Sequence, residues 1–179
     1  MRLLPSLETK SIDYTYRRGA GSNVSYVRER CLRPLRPGTT RPKVPFFGEL
    51  PYDYIMWIDS DIAFEPQHFW KLVENDVDIV AGAYKSDQET YSSEVYQRPP
   101  VNDLIEAVWA GMGFMLIKKG VFEKIEPPWF QTRTIDIDTK KDQFVTEDIY
   151  FCQRAREAGF KIWINPEVAV GHMKEHLLI

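Results

Sequence analysis

The chain has 179 residues and a formal net charge of −3, which gives no overall reason to expect nucleic acid as a partner. With 44% hydrophobic and 27% charged residues it has an ordinary globular balance, which excludes disorder and fits one domain, 1–179, with a sizeable core. No apolar run approaches the ~20 residues that span a bilayer, Met1–Pro5 is too short for a signal peptide, and Cys31 and Cys152 suggest neither a disulfide framework nor a zinc ribbon. A cytoplasmic protein without a transmembrane segment is the resulting expectation.

In chain order, residues 2–10 read as the end of a helix, and Ile12-Asp13-Tyr14-Thr15-Tyr16 alternates like a short strand. Gly19-Ala20-Gly21 makes a turn. Ser22 or Asn23 caps a helix that Pro34 stops near Arg33. Pro34, Pro37, Pro42, Pro45 and Pro51 mark an irregular loop. Tyr54-Ile55-Met56-Trp57-Ile58 is an apolar run of strand length, expected to be buried on both faces. Pro66 suits the first position of a helix to Glu74, and Asp78–Tyr84 reads as a second buried strand. A polar loop is expected over 85–103, then strands near 104–109 and 113–118. A short helix from Gly120 to Ile125, an open loop over 129–145, a helix from Thr146 to Gly159 and a strand at Lys161–Ile164 follow. Asn165-Pro166 should turn the chain away. Helices alternating with short apolar strands predict an α/β class with a largely parallel sheet.

Asp59 and Asp61 stand directly after the first apolar run. If the backbone stays extended there, their carboxylates share one side, about 6.6 Å apart along the strand. In open α/β sheets ligands bind beyond the carboxyl ends of strands. Two anions in that position are tolerable with a divalent cation or a sugar hydroxyl between them. A solvated turn is the plainer explanation for any Asp-x-Asp, but apolar residues bracket this one on both sides, Ile62-Ala63-Phe64 following it.

The run from Tyr54 to Phe64 resembles the Asp-x-Asp segment of glycosyltransferases with the GT-A fold, near the broad family-2 group. Three more segments match in order: Asp78–Tyr84, the glycine-containing Trp109–Ile117, and Thr146-Glu147-Asp148-Ile149-Tyr150-Phe151-Cys152. The likeness covers roughly residues 12–172. It implies a single GT-A-like (Rossmann-like) domain with a mostly parallel sheet, opening at the helix after the family's first strand, so that this strand is lacking and the form is N-terminally shortened. It implies transfer of a sugar from a UDP- or GDP-sugar to a hydroxyl of a glycan, lipid or protein. It implies Mn²⁺ or Mg²⁺ held by Asp61, Asp59 and His172, with Asp59 and Asp61 also meeting the donor. Gly111 and Gly113 would border the donor sugar. Asp148 would be the base of an inverting transfer, with Glu147 orienting the acceptor or pairing with a basic neighbour. Acidic residues in a first helical turn also have a purely structural reason, the helix dipole.

Two other readings stand beside it: a nucleotidyltransferase, which can use the same sheet and metal logic, and an inactive sugar- or partner-binding domain. Several patterns are set aside. His172-Met173-Lys174-Glu175-His176 has the inverted zinc-peptidase spacing, but only three residues follow it to supply another ligand. Gly19-Ala20-Gly21 is half a dinucleotide fingerprint, with Val24 where the third glycine belongs. Asp59–Ala63 departs from the haloacid dehalogenase pattern, which carries Thr or Val where Ala63 stands. Arg28, Arg30 and Arg33 could meet phosphates, though basic residues toward a helix C-terminus need no such role. Trp109, Trp129 and Phe130 could stack on a sugar ring, though large aromatics are more often core, and Trp129 in its Pro-Pro-Trp loop is the candidate acceptor contact.

Overall fold

The computed structural model describes residues 3–34, 38, 43–86, 90–96 and 100–174. Pro37 and Pro42 of the proline loop, Pro99 of the polar loop and His176 of the set-aside zinc pattern lie outside the described residues.

Local chemistry sets the helices. Helix α1 (Leu3–Thr9) buries Leu3 and Leu7, four residues apart on one face. Helix α2 (Val24–Leu32) starts where the Asn23 side chain accepts the Tyr26 N–H at 3.0 Å, and it buries Arg28 and Leu32. A 3-10 turn, Pro45–Gly48, precedes strand β1 (Tyr54–Ile58) and the two-residue β2 (Ile62–Ala63). Helix α3 (Pro66–Glu74) has its proline at the first turn, where no N–H is missed. Strands β3 (Ile79–Ala83), β4 (Ser93–Val95), β5 (Ile105–Ala110) and β6 (Phe114–Lys118) lead to helix α4 (Val121–Lys124). Strands β7 (Arg133–Ile137) and β8 (Lys140–Val145) form a hairpin ahead of helix α5 (Glu147–Glu157). Gly159, at φ +91°, releases the chain from α5 into β9 (Ile162–Ala169) and β10 (Gly171–His172).

The mostly parallel, Rossmann-like GT-A sheet expected from the sequence does not form. The main sheet runs β1-β6-β3-β9-β5-β4, and within it only β3 and β9 are parallel neighbours. β6 pairs antiparallel with both β1 and β3, β5 with β9, and β4 with β5. The crossover through α3 still leaves β1 and β3 pointing the same way, as a helical connection between strands favours. β6 inserts between them in the opposite sense. Phe114–Ile117 is buried at every position, so its pattern reads the same in either direction and sequence alone cannot orient it.

Other expectations shift for similar reasons. β1 is half-buried along its length rather than buried on both faces, because it lies at the edge of the sheet. Residues 12–16 are irregular and exposed, and the expected open loop over 129–145 contains the β7–β8 hairpin. Asn165-Pro166 does not turn the chain away: β9 continues to Ala169, and a register shift against β3 absorbs the irregularity.

The sheet sorts its side chains by the period-two rule. Ile79, Ala81, Met115 and Ile117 face a core closed by Phe122 of α4 and Phe151 of α5. Val80, Phe114 and Leu116 face the other, closed by Leu72 of α3 and Val168. Trp129 belongs to the first core, not to an acceptor surface. It is fully buried, packs edge-on to Phe122 at 5.4 Å and donates its indole N–H to the Phe122 and Ile125 carbonyls at 3.1 and 2.8 Å. No helix among the described residues is long and apolar enough to cross a membrane.

Trp129→Ala therefore opens a cavity in the larger core and is expected to cost about 3–5 kcal/mol of stability. Urea unfolding followed by circular dichroism checks this; a midpoint equal to that of the unaltered protein would contradict the packing role.

Candidate functional site

Strand β1 ends in a turn that separates the two aspartates. The Asp59 N–H still donates to Gly113 O at 2.9 Å, continuing the ladder with β6, while Ile62 N–H donates back to Asp59 O at 3.2 Å. The backbone thus folds over rather than staying extended, and the carboxylates take different partners.

Asp59 is held by Arg28. Nη2 of Arg28 donates to both Asp59 carboxylate oxygens at 3.0 Å, and its Nε donates to Glu147 Oε1 at 3.2 Å. The guanidinium also lies 5.5 Å from the centre of the Trp57 ring. Arg28 is 5% exposed, so its charge is desolvated and depends on these two anions. Arg30 and Arg33 do not share this role. Arg30 donates to the Tyr26 hydroxyl, and Arg33 pairs with Glu29 over the Trp129 ring.

Asp61 meets His172. β2 and β10 pair antiparallel, His172 opposite Ile62, and Met173 N–H donates to Asp61 O at 2.8 Å. This brings His172 Nε2 to 3.0 Å from Asp61 Oδ2. The other ring nitrogen, Nδ1, lies 2.8 Å from the Lys85 carbonyl oxygen, which can only accept, so Nδ1 carries a proton. Nε2 then faces a carboxylate.

Tyr84, which the sequence reading passed over, links the two halves. Its hydroxyl accepts the Gly113 N–H at 2.9 Å, and its ring meets His172 edge-on at 5.5 Å. A Cβ on Gly111 would stand 2.2 Å from the Tyr84 hydroxyl oxygen, and one on Gly113 2.8 Å away, so both glycines make room for this phenol. Burial above all, with the negative charges of Asp148 and Asp59, pushes the Tyr84 phenol up to about 12, while the Gly113 hydrogen bond opposes the shift. Asp148 stands at the start of α5, where Thr146 Oγ1 and the Ile149 N–H both donate to its Oδ1. Beneath it the Cys152 thiol is also raised to about 12, chiefly by burial.

The structure thus brings Asp61 and His172 together and turns Asp59 toward Arg28 and Glu147. Gly111 and Gly113 pack on Tyr84, and Asp148 lies near enough to act on Tyr84 and Cys152. Among the described residues no three His, Cys, Asp or Glu side chains form a group that could hold a metal ion. An open cleft of about 1710 Å³ runs along β1 to Asp59, Ser60 and Asp61, with Arg17, Arg18 and Arg28 among its lining residues. Nothing in the sequence separates Arg28 from Arg30 except its spacing of four from Leu32, which puts it on the buried face of α2. For Tyr84 the available signal was its place at the end of a strand, matching that of Asp59.

No family model and no curated protein matches this chain. The crystal structure of A197 from STIV is similar, with 20% sequence identity and a TM-score of 0.53, covering 99% of this chain and 89% of that one. At that identity the likeness speaks for the fold alone.

The raised Tyr84 value has a stability consequence. The neutral phenol is favoured in the fold, so its contribution is complete below pH 10 and is lost as pH rises toward about 12. Urea titrations across that window should show declining stability, with a shallower decline in Tyr84→Phe; Cys152, raised from 9.0, adds to the fall in both proteins.

Proposed function

We propose that this protein is a metal-dependent glycosyltransferase that moves a sugar from a UDP- or GDP-sugar to an acceptor hydroxyl. The observation that carries the reading is the Asp61–His172 pair at the end of β1. Neighbouring donors on an octahedral cation at ~2.1 Å stand roughly 3 Å apart, and these two are 3.0 Å apart. The Lys85 carbonyl fixes the imidazole from behind, the supporting contact that metal-binding histidines commonly have. A carboxylate oxygen and an imidazole nitrogen would hold Mn²⁺ at least as well as the oxygen-seeking Mg²⁺, and a diphosphate would supply further oxygens. When bound, the ion would supply positive charge against the diphosphate leaving group.

The residues of the chain do the rest. The cleft beside β1 has room for a nucleotide, and Arg17 and Arg18 on its lining offer positive charge to a phosphate. Asp148 accepts the proton of the attacking hydroxyl. Its hydrogen bonds among the described residues fall on Oδ1, which leaves Oδ2 for that proton. Asp148 acting as base implies inversion at the anomeric carbon. Glu147, fixed by Arg28, supports the first turn of α5 from which Asp148 projects.

Calorimetric titration with UDP- and GDP-sugars, with and without Mn²⁺, tests the reading. Metal-dependent binding is expected, and Asp61→Ala should abolish it. Absence of any such binding would leave a non-catalytic sugar- or partner-binding domain. Released pyrophosphate in place of nucleoside diphosphate would instead mark nucleotidyl transfer.

Asp148→Ala is expected to leave donor binding intact while lowering transfer by about 10²–10⁴-fold, the usual share of a general base. Equal loss of both in this variant would overturn the division of roles.

A further inference from the structure

Arg28 and Asn165 are the buried polar side chains of the described residues, and Arg28 alone of the two carries a charge. Both of its anionic partners belong to the proposed site. Four carboxylates crowd that site: Asp59, Asp61, Glu147 and Asp148. Left alone, Asp59 and Asp61, two residues apart, would compete for one cation, and the adjacent Glu147 and Asp148 for one proton.

We propose that Arg28 is a positioning residue that divides the work among these carboxylates. It withdraws Asp59 and Glu147, so that Asp61 with His172 meets the cation and Asp148 meets the acceptor proton. The inference rests on the metal-dependent reading above and deepens it. Both Asp59 oxygens lie 3.0 Å from the same guanidinium nitrogen, a charge-assisted grip that directs its negative charge away from Asp61. The turn closed by Ile62 N–H and Asp59 O separates the two aspartates. The Glu147 side chain is only 12% exposed where it meets Arg28 Nε, whereas the hydrogen bonds of Asp148 leave its Oδ2 available. The Trp57 ring beside the guanidinium limits where Arg28 can move. The guanidinium reaches the two carboxylates through two different nitrogens held in one plane, Nη2 for Asp59 and Nε for Glu147, a fixed spacing that a single ammonium nitrogen lacks.

A residue that merely staples α2 to the sheet would leave the ligand set of the metal unchanged, which makes the proposal separable. Mn²⁺ binding is measured by electron paramagnetic resonance, alone and with UDP or GDP, on the full chain. In the unaltered background Asp61→Asn should weaken Mn²⁺ by about tenfold or more, as loss of a ligand does, and Asp59→Asn by less than about twofold. In an Arg28→Gln background Asp59 is released, and Asp59→Asn should then weaken Mn²⁺ by about tenfold. Should Arg28→Gln fail to fold, Arg28→Met, which keeps an unbranched apolar stem and has no donor for either carboxylate, takes its place in the same cycle. Asp59→Asn as damaging as Asp61→Asn in the unaltered background, or silent in both backgrounds, would overturn the proposal while leaving the metal site standing. Unaltered protein that binds no Mn²⁺, or binds it regardless of Asp61→Asn, overturns the metal-dependent reading itself and this inference with it.

Discussion

The antiparallel seat of β6 between β1 and β3 is the constraint on which the rest of the molecule depends. Its buried side chains alternate between the two cores, Phe114 and Leu116 to one face, Met115 and Ile117 to the other. The residue just before it also sets the site. Gly113 accepts the Asp59 N–H, which fixes where β1 ends, and donates to the Tyr84 hydroxyl, which fixes where β3 gives way to loop. Core packing and site geometry are therefore joined at one strand. The glycines at 111 and 113 follow from the same crowding, since a side chain on either would displace Tyr84.

Electrostatics then arranges what the sheet brings together. Water-exposed carboxylates close together repel weakly, but partial burial makes each one need a partner. Asp59 and Glu147 find theirs in Arg28, Asp61 finds His172, and Asp148 is held by the hydroxyl of Thr146 and a backbone N–H. Each partner comes from a different element: α2 for Arg28, β10 for His172, and the start of α5 for Thr146. The short β2–β10 pairing matters out of proportion to its length, because with the Met173 N–H bond to Asp61 O it sets His172 beside Asp61.

The sheet directions bear on how far a strand-end argument travels. Ligands beyond the carboxyl ends of strands are a rule of open, largely parallel α/β sheets. Here β1 and β3 keep that common direction although β6 lies between them, so Asp59 and Tyr84 still emerge at the same end of the sheet. The placement of the two strand ends therefore did not require a parallel sheet throughout.

Much of the local structure was legible in the chain itself. Pro66 at the start of α3, Asn23 as the cap of α2 and Gly159 at the end of α5 act through their own backbones, so their elements could be read without knowing the neighbours. The apolar runs of β1, β3 and β6 were equally plain, and the carboxylates at 59, 61, 147 and 148 stood out by type and place. Strand direction was not legible, because a uniformly apolar run carries no polarity of its own. Nor could sequence show that Asp59 and Asp61 part company, since that depends on a turn closed by backbone hydrogen bonds. Arg28 looked like its neighbours Arg30 and Arg33 until burial distinguished it, and the Lys85 carbonyl that orients His172 has no sequence signature at all. Local chemistry determined which residues could form elements and carry charge. Only tertiary packing decided which charges meet, because those contacts join residues 31 to 119 positions apart.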